Sequence, residues 1–230
     1  MIPLLNQPIT IGNKIADGRL FLSPMAGLGN VALRDLAAAY GGNGLLYMEM
    51  CSAKALPIEN RWTSNVFRWR DEELPRLVCQ IFGADPEVMA DAAQRVAEEG
   101  FFGVDVNMGC SVAAICKQGA GAALLREPQK AAKVVAAVRQ AVDIPVTVKY
   151  RTGWSDEPGP AAEMAVRFAD AGKVHDAVAE AVGKALSEYD RPSWQSKDTF
   201  QGSGFRGSEV RGSGFRGSEV PVFAPSELRP

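Results

Sequence analysis

Short apolar runs alternate with amphipathic stretches through the first 172 residues of the chain. Residues 20–23, LFLS, read as a first short, mainly apolar strand that leads into Pro24-Met25-Ala26-Gly27. Asn30 is placed to cap a helix over residues 31–40, which the Gly41-Gly42 pair ends. LLYMEMC, residues 45–51, reads as a second buried strand, followed by a long aromatic-bearing connection over 54–75 with Trp62, Phe67 and Trp69. LVCQIF, residues 77–82, is a third strand. Asp85 then caps a helix that has Pro86 at its first position and closes at Gly100. Residues 104–107 form a fourth strand, 128–142 an amphipathic helix, 146–149 a fifth strand, and 161–171 a further helix closed by Gly172.

Five strands alternating with helices predict a parallel sheet with right-handed crossovers. Such a sheet either stays open and doubly wound or closes into a (β/α)8 barrel. No GxGxxG follows the first strand, so a dinucleotide-binding fold is not supported. Met25, Glu49, Gln80, Asn107 and Lys149 stand at successive strand ends. Polar and chemically active groups gathered in that way favour a TIM-type barrel, whose active site collects them on one face. The pattern stops after Gly172, leaving too few residues for three more units of roughly 30 residues each. The expected organisation is therefore an incomplete α/β barrel of about five βα units over 1–172. A helical pattern of uncertain packing follows over 173–190, and then a Gly/Ser-rich segment over 191–230. That segment repeats GSGFRGSEV at 202–210 and 212–220 and is expected to be disordered.

A net charge of -2 excludes a globally basic nucleic-acid binder, so any RNA contact would rest on a local patch. The four cysteines form no CxxC pair, which argues against a zinc site or a thioredoxin-type motif. Cys51 and Cys79, inside apolar runs, read as buried small hydrophobes, and a reducing cytoplasm is the expected setting. The amino terminus lacks the basic-then-apolar pattern of a signal peptide, and no apolar run reaches the roughly 18 residues a membrane helix needs.

The stretch GVDVNMGCSVAAICKQGAGAALL, residues 103–125, is the best candidate for chemistry. It reads as a buried strand that delivers a polar loop at its carboxyl end, with Cys110 on the loop as the candidate catalytic residue. Cys116 reads as structural. Gly119, Ala120 and Gly121 read as close packing or flexible loop geometry rather than an anion cradle. Lys149 could be an ordinary strand-end cation, and Trp62 and Trp69 could either stack on bases or pack within the protein.

DVNMGCS followed by KQGAGAALL resembles the signature of the tRNA-dihydrouridine synthases, flavin enzymes built on a (β/α)8 barrel. PMAG, MEMCSA, QIFG and VTVKYRTGW match the same family in order and spacing, and the resemblance covers about residues 15–172. It implies that Cys110 is the catalytic cysteine, with Ser111 where the family has proline. It implies backbone contacts to the FMN ring from Pro24, Met25 and Ala26. It also implies polar contacts from Gln80 and Lys149 to the ring's pyrimidine edge, and Asn107 lining the flavin and uracil site. The family's histidine on the sixth strand has no counterpart, because the single His175 falls in a helical pattern.

The implied reaction reduces the C5–C6 bond of a tRNA uridine, with NADPH or NADH as reductant. A reduced flavin supplies a hydride. A thiol with a reference pKa of about 8.5 can donate the proton at neutral pH. A lysine opposes the negative charge of the reduced ring, and the base must leave its stack. Membrane and metal partners are not expected. The strands that hold the flavin phosphate in the family, and its tRNA-gripping helical domain, have no counterpart in 173–230. A truncation or reading-frame change after the fifth unit would account for that. One alternative is a flavin oxidoreductase of free pyrimidines, of the dihydroorotate or dihydropyrimidine dehydrogenase type. The other is an inactive truncated product.

Overall fold

The computed structural model describes residues 3–152, 154 and 161–172, all within the compact unit Met1–Tyr189. The helical pattern at 173–190, the repeat-bearing segment at 191–230 and His175 lie outside the described residues.

Five parallel strands form one sheet in sequential order: β3 (Leu20–Leu22), β4 (Asn43–Ser52), β5 (Leu77–Phe82), β6 (Gly103–Met108) and β7 (Val146–Tyr150). Helices α1 (Val31–Tyr40), α2 (Pro86–Glu98), α4 (Pro128–Ala141) and α5 (Ala161–Gly172) alternate with them, and a four-residue helix α3 (Ala113–Cys116) follows β6. The sheet curls into a half-barrel. Within the described residues the expected strands and helices are present. Val31–Tyr40 and Leu77–Phe82 match residue for residue, and β4 is longer than the apolar run alone suggested.

Local chemistry explains the element ends. The Asn30 side chain accepts from the Leu33 amide, and Gly41, at a φ of 73°, ends α1. Asp85 accepts from the amides of Glu87 and Val88, with Pro86 at the first helical position of α2. Each cap contributes about 1 kcal/mol.

Period-two alternation separates the two faces of the sheet. The outer face carries Leu46, Met48, Cys79, Ile81, Val104, Val106 and Met108, buried against Met89, Ala92, Ala93 and Val96 of α2 and Ala131, Val134, Val135 and Val138 of α4. Cys51 and Cys79 are buried, as expected of small hydrophobes. The inner face begins apolar, with Leu45, Tyr47 and Val78, and turns polar toward the strand ends, with Gln80, Asp105 and Asn107. Because β6 is buried on both faces, its sequence reads as an almost continuous apolar run broken only by the two polar residues.

A hairpin that the hydrophobic pattern did not disclose, β1 (Ile9–Ile11) with β2 (Lys14–Ala16), covers the amino-terminal end of the inner face. Ile9, Ile11 and Ala16 pack on Leu45, Tyr47, Val78 and Phe102, and Lys14 Nζ donates to the Phe101 carbonyl at 2.9 Å. Strands of three residues are too short for alternation to register in the sequence.

Candidate active site

The carboxyl ends of the five strands hold the predicted residues together, and β6 is their centre. Gln80 pairs with Asp105 across β5 and β6, while Thr147 and Lys149 pair with Asp105 and Asn107 across β6 and β7. Strand register therefore puts an amide, a carboxylate, a second amide and a cation on one inner face.

The polar side chains form a continuous relay. Thr147 Oγ1 donates to Asp105 Oδ1 at 2.6 Å, and Gln80 Nε2 donates to Asp105 Oδ2 at 2.5 Å. Gln80 Oε1 accepts from Asn107 Nδ2 at 2.8 Å. Asn107 Oδ1 accepts from the backbone amides of Gly109 and Cys110 at 3.2 and 3.0 Å. An Asn that captures the amides two and three residues ahead is a local turn device, and here it aims the segment carrying Cys110. Fixing its amide through Gln80 removes the rotation that would otherwise exchange Oδ1 for Nδ2.

Asp105 is 1% exposed. Burial pushes its pKa up to about 6, against the opposing effects of the Thr147 and Gln80 hydrogen bonds and the Lys149 charge. Tyr47, on the same inner face, is also pushed up, by burial first and by the Asp105 charge second.

The Cys110 loop is held from three further directions. Cys110 O accepts from the Ala122 amide at 2.9 Å and from Cys116 Sγ at 3.5 Å. Gly121 passes so close that a Cβ there would lie 2.6 Å from Cys110 O, and its φ of +61° is left-handed. Gly121 of KQGAGAALL thus serves close packing, whereas Gly119 has ordinary contacts and a left-handed φ of +72°. Arg151 Nε donates to Gly109 O at 2.6 Å, and its Nη2 reaches Ser111 Oγ at 3.2 Å. A side-chain hydrogen bond therefore restrains the loop at Ser111. Cys110 itself is half-buried.

The β3–α1 loop forms the other wall. Met25 O accepts from the amides of Leu28 and Gly29 at 3.1 and 2.8 Å, making a tight turn. Pro24 and Met25 are half-buried and Ala26 is exposed. The pairing of β4 with β5 steps from Tyr47–Val78 to Met50–Gln80, so β4 carries one extra residue there. Glu49 lies at this bulge, and its carboxylate accepts from the Gly27 amide. Bulges re-aim side chains beside functional sites.

Gln80, Asn107 and Lys149, picked out in the sequence, share one face of the sheet, but sequence reasoning assigned no role to Asp105, Arg151 or Glu49. All three stood within the quoted motifs, and Asp105 was visible as the one charge inside the apolar run of β6. Gln80 is 2% exposed with both amide atoms engaged inside the protein. Lys149 is exposed and makes no ion pair among the described residues. No group of three or more His, Cys, Asp or Glu among the described residues is placed to hold a metal, and no described helix is long and apolar enough to cross a membrane.

The family model for dihydrouridine synthase (Dus) matches residues 21–178, a segment that contains every strand end just described. The chain belongs to the dihydrouridine synthase family. It is 39% identical over 166 residues to the probable tRNA-dihydrouridine synthase 1 of Synechocystis sp., covering 72% of this chain and 46% of that one. It is 38% identical over 188 residues to tRNA-dihydrouridine synthase B of Shewanella oneidensis, covering 78% and 56%. The chain spans about half the length of these relatives in the family. Among solved structures, a 2-naphthoyl-CoA reductase complex superposes with a TM-score of 0.51 at 15% identity, covering 76% of this chain and 40% of that one, a likeness of fold.

Proposed function

We propose that this chain carries the catalytic half of a tRNA-dihydrouridine synthase, reducing the C5–C6 bond of a tRNA uridine with FMN and NADPH in the cytoplasm. The observation that carries this reading is the alignment of three chemistries at adjacent strand ends. Cys110 follows β6, Asn107 lies in β6, and Lys149 lies opposite Asn107 in β7.

The donor set suits a flavin. A ring system that gains negative charge on reduction needs a cation at its pyrimidine edge, and Lys149 is an exposed lysine with no carboxylate partner among the described residues. The exposed Ala26 and Gly27 leave main chain open to a flat ligand beside the tight turn at Met25. Reduced FMN, when bound, supplies the hydride for C6 of the uracil ring.

The chain's own residues supply the rest. Cys110 Sγ delivers the proton to C5, so that a hydride and a proton together saturate the bond. Asn107 positions that thiol by holding the Gly109 and Cys110 amides, and its Nδ2 also donates to Met50 Sδ at 3.7 Å, on the β4 side of the site. Gln80 acts as a support for Asn107. Arg151 and Gly121 keep the loop in one conformation, because a proton donor displaced by about 1 Å loses on the order of a hundredfold in rate. Pro24, Met25 and Ala26 line the flavin side.

The test uses the full chain. It is incubated with FMN and freed of excess, and the flavin spectrum is read. Dihydrouridine in an unmodified tRNA transcript is then measured with NADPH present. Flavin uptake with dihydrouridine formation, lowered at least 100-fold in Cys110→Ala, is the expected result. A colourless chain that takes up no FMN, or turnover of free uracil in place of tRNA, would overturn the proposal.

A further inference from the structure

The connection between β4 and β5 builds a second site that the reduction chemistry does not use. A cavity of about 390 Å³ opens between this connection and the amino terminus of α1. Its walls include Trp62, Arg68, Trp69, Val31 and Ala32. We infer that this cavity binds one nucleotide of the tRNA substrate at a distance from the reacting uridine, with the base stacked on Trp62 and the phosphate met by Arg68 and the α1 amides. The inference rests on tRNA being the substrate.

Four observations converge on a nucleotide. Trp62 is 69% exposed, an unusual state for so large an apolar surface. Arg61 lies over its ring at 4.4 Å, which stiffens the indole as a platform while much of its surface stays open. Indole faces of this kind stack on any base.

The second observation is charge. Arg61 is engaged by Asp71, and Arg70 by Asp35 and Glu72. Arg68 is exposed and makes no ion pair among the described residues, which leaves its guanidinium for a phosphate. Third, Val31 and Ala32 open the ten-residue helix α1, and the first amides of a helix lack intrahelical partners and favour an anion. Fourth, Trp69 lines the cavity at 4% exposure, and its indole Nε1 is buried with no hydrogen-bond partner. Buried polar atoms are rarely left without a partner, and this one belongs to a residue that lines the cavity.

The cavity is coupled to the reactive face through one side chain. Arg34 Nη1 donates to Gly29 O at 2.6 Å and its Nη2 to Arg68 O at 2.9 Å, while Nε and Nη2 hold Glu73 at 2.8 and 3.1 Å. Gly29 closes the loop that carries Pro24, Met25 and Ala26. A nucleotide held by the cavity is therefore fixed relative to that loop, which gives an extruded uridine a defined approach.

The experiment measures binding of an unmodified tRNA transcript to the full chain across a salt series, for wild type, Trp62→Ala, Trp62→Phe and Arg68→Ala. Far-ultraviolet circular dichroism and flavin absorbance serve as checks that folding and the flavin site are intact. Trp62→Ala is expected to weaken tRNA binding roughly 5- to 150-fold, with Trp62→Phe retaining most of the affinity. Arg68→Ala is expected to lower the slope of log affinity against log salt by about 0.7 to 0.9. Wild-type binding that neither variant changes overturns the cavity while leaving the tRNA reading intact. A wild-type chain that binds flavin but no tRNA overturns the tRNA reading and the cavity with it.

Discussion

Replacing Asp105 by Asn tests the relay at its most buried member. In the folded chain the carboxyl holds its proton until about pH 6, because burial outweighs the Thr147 and Gln80 hydrogen bonds and the Lys149 charge. In the unfolded chain it releases the proton near the ordinary value of 3.8. Between those values the folded state binds more protons than the unfolded state, so raising the pH through this window lowers stability. The separation is about 2 pH units at ~1.4 kcal/mol each, a contribution of about 3 kcal/mol that is present at low pH and lost as pH rises through 6. Asparagine can accept from Gln80 through Oδ1 and donate to Thr147 Oγ1 through Nδ2, so Asp105→Asn keeps the connectivity and removes the titration. Urea unfolding of both proteins at intervals from about pH 4 to about pH 8 reads the difference, and every other carboxylate cancels in the comparison. The variant is expected to gain on wild type by about 3 kcal/mol as pH rises through the window. Parallel profiles, or a gap that closes with rising pH, would refute the burial argument.

Arg34→Ala strands the Glu73 carboxylate, 4% exposed, without its counter-charge. A loss of about 3–5 kcal/mol in unfolding free energy is expected, and a loss below about 1 kcal/mol would show that Glu73 finds another partner. Gly121→Ala places a Cβ 2.6 Å from Cys110 O at a φ of +61°. Destabilisation of about 1–3 kcal/mol is expected, together with a changed alkylation rate at Cys110 read by site-resolved mass spectrometry. Unchanged stability and alkylation would mean that the loop moves freely.

Much of this architecture was written in local pattern. Pro86 after Asp85, Asn30 before the apolar-periodic run, and the Gly41-Gly42 stop act within a few residues of where they stand, so helix ends could be read directly. Strands buried on both faces announced themselves as apolar runs, and their ends marked the candidate site, because a parallel barrel delivers its loops there. The β1–β2 hairpin escaped because its reason for existing is the open amino-terminal end of the inner face, formed by Leu45, Val78 and Phe102.

The sequence by itself determined the succession of strands and helices along the chain, the residues at the strand ends and the family. Tertiary structure alone decided which of those residues stay open to solvent and which serve one another. Gln80 and Lys149 look equivalent as polar strand ends, yet Gln80 is locked between Asp105 and Asn107 while Lys149 stays exposed. Arg34 finds Glu73 thirty-nine positions away, and Arg151 finds the Cys110 loop across the β6–β7 register. Hydrogen bonds between side chains on different strands depend on register, curl and bulges, which are set by packing of the whole sheet. No periodicity within one segment encodes them.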